Sequence, residues 1–182
     1  MTVLVLGGAR SGKSRFAERL AARWSEEKGL PVTYLATSAP MVEDDEWAER
    51  VRRHRQQRPA TWAVAEVPMA VAEWLAAVKT PQIVLVDCLS LLVNNWLFHE
   101  GMDRDLLAER RQALVDALQT TPATVIAVSN EVGSGIVPEQ ALSRCYRDEL
   151  GWLNQQVTAV ASAVYWVVAG IAIDVKATGV TI

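Results

Sequence analysis

The sequence predicts an α/β fold, a mostly parallel sheet with helices on both faces, within a single domain spanning residues 1–182. Three observations lead there. Short aliphatic runs at 3–6, 32–36, 83–86, 125–128 and 164–168 carry almost no polar residues, which is the pattern of strands buried on both faces. Most of these runs are separated by stretches with helical periodicity, and a strand reached through a crossover helix runs parallel to its predecessor. Finally, a length of 182 residues suits one domain, large enough to bury about 70% of the surface an unfolded chain exposes.

Taken in order, residues 2–6 are apolar but lack the basic leader and longer apolar core of a signal peptide, so they read as the first strand. The glycine-rich segment at 7–14 precedes a helix-forming stretch that runs to Lys28, and strand 32–36 follows. Residues Glu43, Asp44, Asp45 and Glu46 come before the stretch 47–54, with Arg55, Arg58 and Pro59 after it. Acids first and bases last suit a helix dipole. Residues 62–67 make a further candidate strand, and 83–86 a buried one. His99 stands just before Gly101 at a helix end, a place for packing or capping rather than chemistry. Residues 157–173 are uncharged, but they include Thr158, Ser162 and Gly170 and change midway from alanine-rich to β-branched. That describes a helix and then a buried strand, not a membrane span. There is no internal repeat, low-complexity tract or interdomain linker.

Composition narrows the function classes. The hydrophobic fraction of 51%, the charged fraction of 21% and seven tryptophans describe a globular chain with a substantial core. A net charge of -3 offers no general attraction to nucleic acid or an anionic membrane. Cys88 and Cys145 have neither metal nor redox spacing. A cytoplasmic enzyme is the expectation.

In parallel sheets, ligands gather beyond the carboxyl ends of the strands. The residues to watch are therefore the loop after Leu6, Thr37 with Ser38, Asp87, and Asn130 with Glu131. The loop itself reads Gly7, Gly8, Ala9, Arg10, Ser11, Gly12, Lys13, Ser14, the phosphate-loop pattern in its required context of strand before and helix after. Its glycines let successive N–H groups face phosphate oxygens at a helix N-terminus. Lys13 is expected on the outer phosphates of GTP or ATP, and Ser14 on magnesium. This makes the fold a P-loop NTPase type. Asp87, closing its strand, is expected to orient the magnesium directly or through water; otherwise it caps the next helix.

His54 stands among Arg50, Arg52, Arg53, Arg55 and Arg58. Those charges favour a neutral, nucleophilic imidazole and could hold a polyphosphate beside it. A plain solvated helix explains the same charges. Arg147, Gly151 and Asn154 share one helix face by spacing, and glycine there costs about 1 kcal/mol relative to alanine. Something should approach that face: a large substrate, a neighbouring subunit, or another helix of the same domain.

These segments together resemble a family. The phosphate loop, His54 with Arg58-Pro59, the segment from Asn130 to Pro138, Arg147-Asp148, Gly151, Asn154-Gln155 and Gly170-Ile171 are similar to the bifunctional adenosylcobinamide kinase/adenosylcobinamide-phosphate guanylyltransferase family of cobalamin biosynthesis. The resemblance implies two reactions, phosphorylation of the aminopropanol hydroxyl of adenosylcobinamide and transfer of GMP from GTP to that phosphate through His54. It also implies nucleotide contacts from Ala36, Thr37, Ser38, Arg55, Gln56, Gln57, Arg58, Glu66 and Asp87. The cofactor is then Mg2+ with GTP or ATP. The partners are those nucleotides and adenosylcobinamide or its phosphate, with no nucleic acid and no membrane span, in a homo-oligomer.

Two other classes compete. A regulatory GTPase would need an Asn-Lys-x-Asp guanine motif, whereas the matching strand end reads Asn130-Glu131-Val132-Gly133. A simple small-molecule kinase would use the loop and Asp87 alone and leave the histidine helix structural.

Overall fold

A computed structural model of the chain describes residues 1–38, 59–101 and 103–180. Strand β1 (Thr2–Gly7) leads through α1 (Lys13–Lys28) to β2 (Val32–Ala36). Next come β3 (Ala63–Glu66), α2 (Val71–Ala77) and β4 (Ile83–Asp87). Helices α3 (Leu89–Glu100) and α4 (Arg104–Thr120) connect to β5 (Thr124–Asn130), and α5 (Ala141–Val160) leads to β6 (Ala163–Val168), β7 (Ile171–Asp174) and the short α6 (Val175–Thr178).

The strands form one sheet in the order β3-β2-β4-β5-β1-β6-β7. All pairings are parallel except β6 with β7. The five aliphatic runs are its central members, and residues 62–67 supply β3, at one edge. The strand β7 is an addition the aliphatic runs did not indicate. It returns antiparallel from β6 through Ala169 and Gly170, whose φ values are 50° and 82°. Two successive positive φ angles are what a two-residue hairpin needs to match strand twist.

Successive side chains of a strand project to opposite faces, and the core divides accordingly. On one face Leu4, Leu35, Val84 and Val125 pack with Leu75, Leu92, Leu114 and Leu153 from α2, α3, α4 and α5. On the other, Val3, Val5, Leu85 and Ile126 meet Ala17 and Ala21, one turn apart on α1. The small alanines let that helix lie close to the sheet. Glycine in the left-handed region, Gly29 at φ 63°, ends α1. Asp103 starts α4 by accepting hydrogen bonds from the Asp105 and Leu106 backbone N–H groups.

The order of strands positions the site. β1 and β5 are neighbours, yet the chain leaves β1 for α1 on one face and β5 for α5 on the other. The two connections diverge, which opens a crevice at the carboxyl ends of these strands.

Candidate active site

Gly7 ends β1 opposite Asn130 of β5. A Cβ here would lie 2.6 Å from the Val167 carbonyl oxygen and 2.5 Å from Ser11 Oγ, so the chain leaves the sheet through a gap only glycine fits. Ser11 N then donates to Gly8 O at 3.3 Å, and Arg10 and Gly12 take φ values of 56° and 95°. Left-handed residues within a tight turn direct backbone N–H groups to one side, which makes a concavity for anions. Helix α1 begins immediately afterwards without a side-chain cap, so the orphan N–H groups of its first turn are available to an anion. Lys13 Nζ reaches back over the loop to Gly8 O at 3.2 Å. Ser11 Oγ is buried without a hydrogen-bond partner among the described residues.

The β6–β7 turn braces this loop. Gly170 N donates to Ser11 O at 2.8 Å. A Cβ on Gly12 would come within 3.2 Å of Gly170 Cα. The two backbones thus meet where a side chain on Gly12 would press against Gly170.

Asp87 ends β4, with β5 between it and the loop strand. Alternation with Ile83 and Leu85 directs it to the face that α1 covers. Tyr34 donates its hydroxyl to Asp87 Oδ2 at 2.9 Å and so orients the carboxylate. Thr37 is fully buried: its hydroxyl donates to Cys88 O at 2.7 Å and accepts from Cys88 N at 2.8 Å. Asn95 Nδ2 donates to Thr37 O at 2.8 Å. The Thr37 side chain therefore ties the end of β2 to the turn after β4. Ala36 and Ser38 beside it are partly exposed. Glu66, exposed, ends β3 next to Ala36. Burial, reinforced by the Asp87 charge, pushes the Cys88 thiol up, and burial does the same at Cys145; both are free. Neutral thiols are poor nucleophiles.

Across the crevice, Glu131 N donates to Gly7 O at 3.3 Å, and Glu131 Oε1 accepts from Gly133 N at 2.6 Å. Asn154 of α5 donates Nδ2 to Asn130 O at 3.0 Å. Arg147 pairs with Asp148, Nη2 to Oδ1 at 2.8 Å. A Cβ on Gly151 would meet nothing within 4 Å, so at Gly151 itself the Arg147–Gly151–Asn154 face is open. It lines a pocket of about 580 Å³ together with Leu6, Glu131 and Trp152.

The structure thus brings the loop, residues 36–38, Glu66, Asp87, and Asn130 with Glu131 to the carboxyl edge of one sheet. His54, Arg55, Gln56, Gln57 and Arg58 lie outside the described residues, as do Arg50, Arg52 and Arg53. Sequence reasoning missed Tyr34 and Asn95. The available signal for Tyr34 was a phenol inside an aliphatic run, since a buried tyrosine hydroxyl needs a partner.

Residues 3–175 match the family model for cobinamide kinase / cobinamide phosphate guanyltransferase. The chain is 44% identical to the bifunctional adenosylcobalamin biosynthesis protein CobP of Pseudomonas aeruginosa, over 97% of this chain and 98% of that protein. It is 42% identical to the bifunctional adenosylcobalamin biosynthesis protein CobU of Escherichia coli, over 97% and 100% respectively. Among solved structures, the ATPase domain of G40P is similar with a TM-score of 0.52 at 14% identity, covering 91% of this chain and 68% of that one. That last likeness is one of fold.

Proposed function

The chain belongs to the cobinamide kinase / cobinamide phosphate guanyltransferase family of cobalamin biosynthesis, and we propose that residues 7–14 hold the triphosphate in both reactions. The protein is a transferase acting on cobinamide and then on cobinamide phosphate. The observation that carries the loop assignment is its geometry: left-handed Arg10 and Gly12, an uncapped α1 and Lys13 folded over Gly8.

In the kinase step the substrate alcohol attacks the γ-phosphorus of ATP or GTP. The nucleoside diphosphate leaves and the hydroxyl proton passes to solvent. Lys13 and the loop N–H groups stabilise charge on the phosphate oxygens as the bond breaks. Ser14 Oγ and the Asp87 carboxylate, held by Tyr34, are hard oxygen donors of the kind magnesium takes alongside phosphates and waters. Bound there, Mg2+ supplies charge neutralisation across the outer phosphates. Thr37, with its hydroxyl committed to Cys88, holds Asp87 and Ser38 in place. Ala36, Ser38 and Glu66 border the nucleotide, and Asn130 and Glu131 border the substrate.

In the transfer step an imidazole nitrogen of His54 attacks the α-phosphorus of GTP and pyrophosphate departs. A phosphate oxygen of cobinamide phosphate then displaces the imidazole. Arg55, Gln56, Gln57 and Arg58 contact the same nucleotide. A phosphoramidate splits one difficult displacement into two easier ones. The test is to incubate the protein with α-labelled GTP and then denature it. Acid-labile, base-stable label on the wild type, absent from His54→Ala, is the expected result. A wild type without covalent label sinks the histidine route and leaves direct attack of cobinamide phosphate on the α-phosphorus of GTP.

The site works in a homo-oligomer in the cytoplasm. Two free cysteines suit a reducing compartment, and among the described residues no helix is long and apolar enough to cross a membrane. Exposed Ile171 and Ile173 on the edge strand β7, with Val168 at the end of the neighbouring β6, support self-association there.

A further inference from the structure

The nucleotide side of the crevice is accounted for by the loop and Asp87, but the α5 side is not. We propose that the pocket between α5 and the ends of β1 and β5 seats the alcohol-bearing arm of cobinamide, with Asn154 Oδ1 accepting a hydrogen bond from an N–H or O–H of that arm. This rests on the kinase reading above and assigns its acceptor site.

Four observations converge. The first is location. Leu6 lines the pocket and Gly7 opens the phosphate loop, while Glu131, also lining it, donates its backbone N–H to Gly7 O at 3.3 Å. A group bound here is next to the phosphates, and phosphoryl transfer depends on such placement. The second is an unmet hydrogen bond. Asn154 is 6% exposed. Its Nδ2 is engaged with Asn130 O at 3.0 Å, which sets the orientation of the amide, and its Oδ1 has no partner among the described residues. A buried carbonyl oxygen without a donor is costly to leave unmet, so a donor supplied by the ligand is recognised strongly.

The third is charge. Glu131 and Asp148 place two carboxylates in the lining against one guanidinium, Arg147, which is already bonded to Asp148. That balance repels a second nucleotide and accepts a neutral or cationic ligand. The fourth is shape. Gly151 leaves an open floor on α5. Beside it Trp152, 42% exposed and backed by the Arg111 guanidinium at 5.3 Å, offers a flat apolar ring. A volume of about 580 Å³ holds the arm and one edge of a macrocycle, with the remainder outside.

The proposal is tested with Gly151→Leu, which fills the floor, and Trp152→Ala, which removes the platform. Gly151→Leu should fold well, since a Cβ there meets nothing within 4 Å and leucine favours a helix more than glycine does. Binding of cobinamide and of Mg-GTP to the full chain is measured separately by calorimetry, and covalent labelling from GTP is followed in parallel. Both variants should lose at least about tenfold in cobinamide affinity, while Mg-GTP affinity and labelling stay at wild-type level. Unchanged cobinamide affinity in both variants overturns the pocket assignment and leaves the two reactions standing. So does a change in mass by light scattering without a change in affinity, which would make the face a subunit contact. A wild type that binds Mg-GTP but no cobinamide overturns the functional reading and this assignment with it.

Discussion

Arg111 of α4 and Glu149 of α5 form an ion pair whose side chains are 11% and 3% exposed. Burial raises the Glu149 carboxyl above its ordinary value of 4.5, and the Arg111 charge and hydrogen bond pull it partly back. Removing one partner strands the other charge, so Arg111→Leu should cost about 3–5 kcal/mol, and the double change Arg111→Leu/Glu149→Leu distinctly less. In the single variant Glu149 loses its cation, and its pKa rises further. A carboxyl raised on folding stabilises the folded state below its unfolded pKa and loses that contribution as pH climbs through the folded value. The penalty should therefore be larger near about pH 8 than near about pH 5, read from urea unfolding at both. Tyr34→Phe is a subtler change. It removes the donor to Asp87 Oδ2, costs about 1 kcal/mol of stability, and should raise the magnesium concentration needed for half-maximal kinase rate. An unaltered magnesium dependence would show that Asp87 needs no such orientation.

At the scale of elements, the phosphate loop is held by a hairpin that is distant in the chain. Gly12 and Gly170 both have positive φ, 95° and 82°, but their surroundings differ. A Cβ on Gly170 meets open space, so Gly170→Ala should cost only left-handed strain, about 1–2 kcal/mol. A Cβ on Gly12 carries similar strain and also presses on Gly170 Cα at 3.2 Å, which pushes the loop away from its brace. Gly12→Ala should therefore lose more stability than Gly170→Ala and raise the KM for nucleotide, whereas Gly170→Ala leaves KM nearly intact. Thermal unfolding without ligand and steady-state kinetics separate the two effects. Equal losses in both variants would mean that the contact between the backbones is unimportant.

For the whole molecule, ligand binding and folding are linked, because the cradle exists only when β1, α1 and the β6–β7 turn are assembled. Mg-GTP at one hundred times its Kd should add about 2.7 kcal/mol of stability, seen as a rise in Tm that Lys13→Ala abolishes or greatly reduces. At the sheet edge, Ile171 and Ile173 are 70% and 51% exposed. Charging both, Ile171→Glu with Ile173→Glu, should lower the mass measured by light scattering if β7 is the self-association surface. An unchanged mass would remove that edge from consideration.

What was legible in the sequence was local or continuous along the chain. The five aliphatic runs mark the central strands because a strand buried on both faces has no room for polar residues. The phosphate-loop pattern is equally plain, since its glycines, Lys13 and Ser14 are contiguous in the chain, although the hairpin that braces the loop is not. β7 was not legible as a strand, because two of its four residues face solvent and its pairing depends on β6 presenting an open edge. Tertiary structure alone decided which separated groups meet. Tyr34 reaches Asp87 across 53 residues of chain, and Asn154 holds Asn130 across 24. The face of α5 around Gly151 could equally have met a helix or a ligand by spacing alone. It lines a pocket because β1 and β5 send their helices to opposite faces of the sheet, a consequence of strand order that no local stretch of sequence contains.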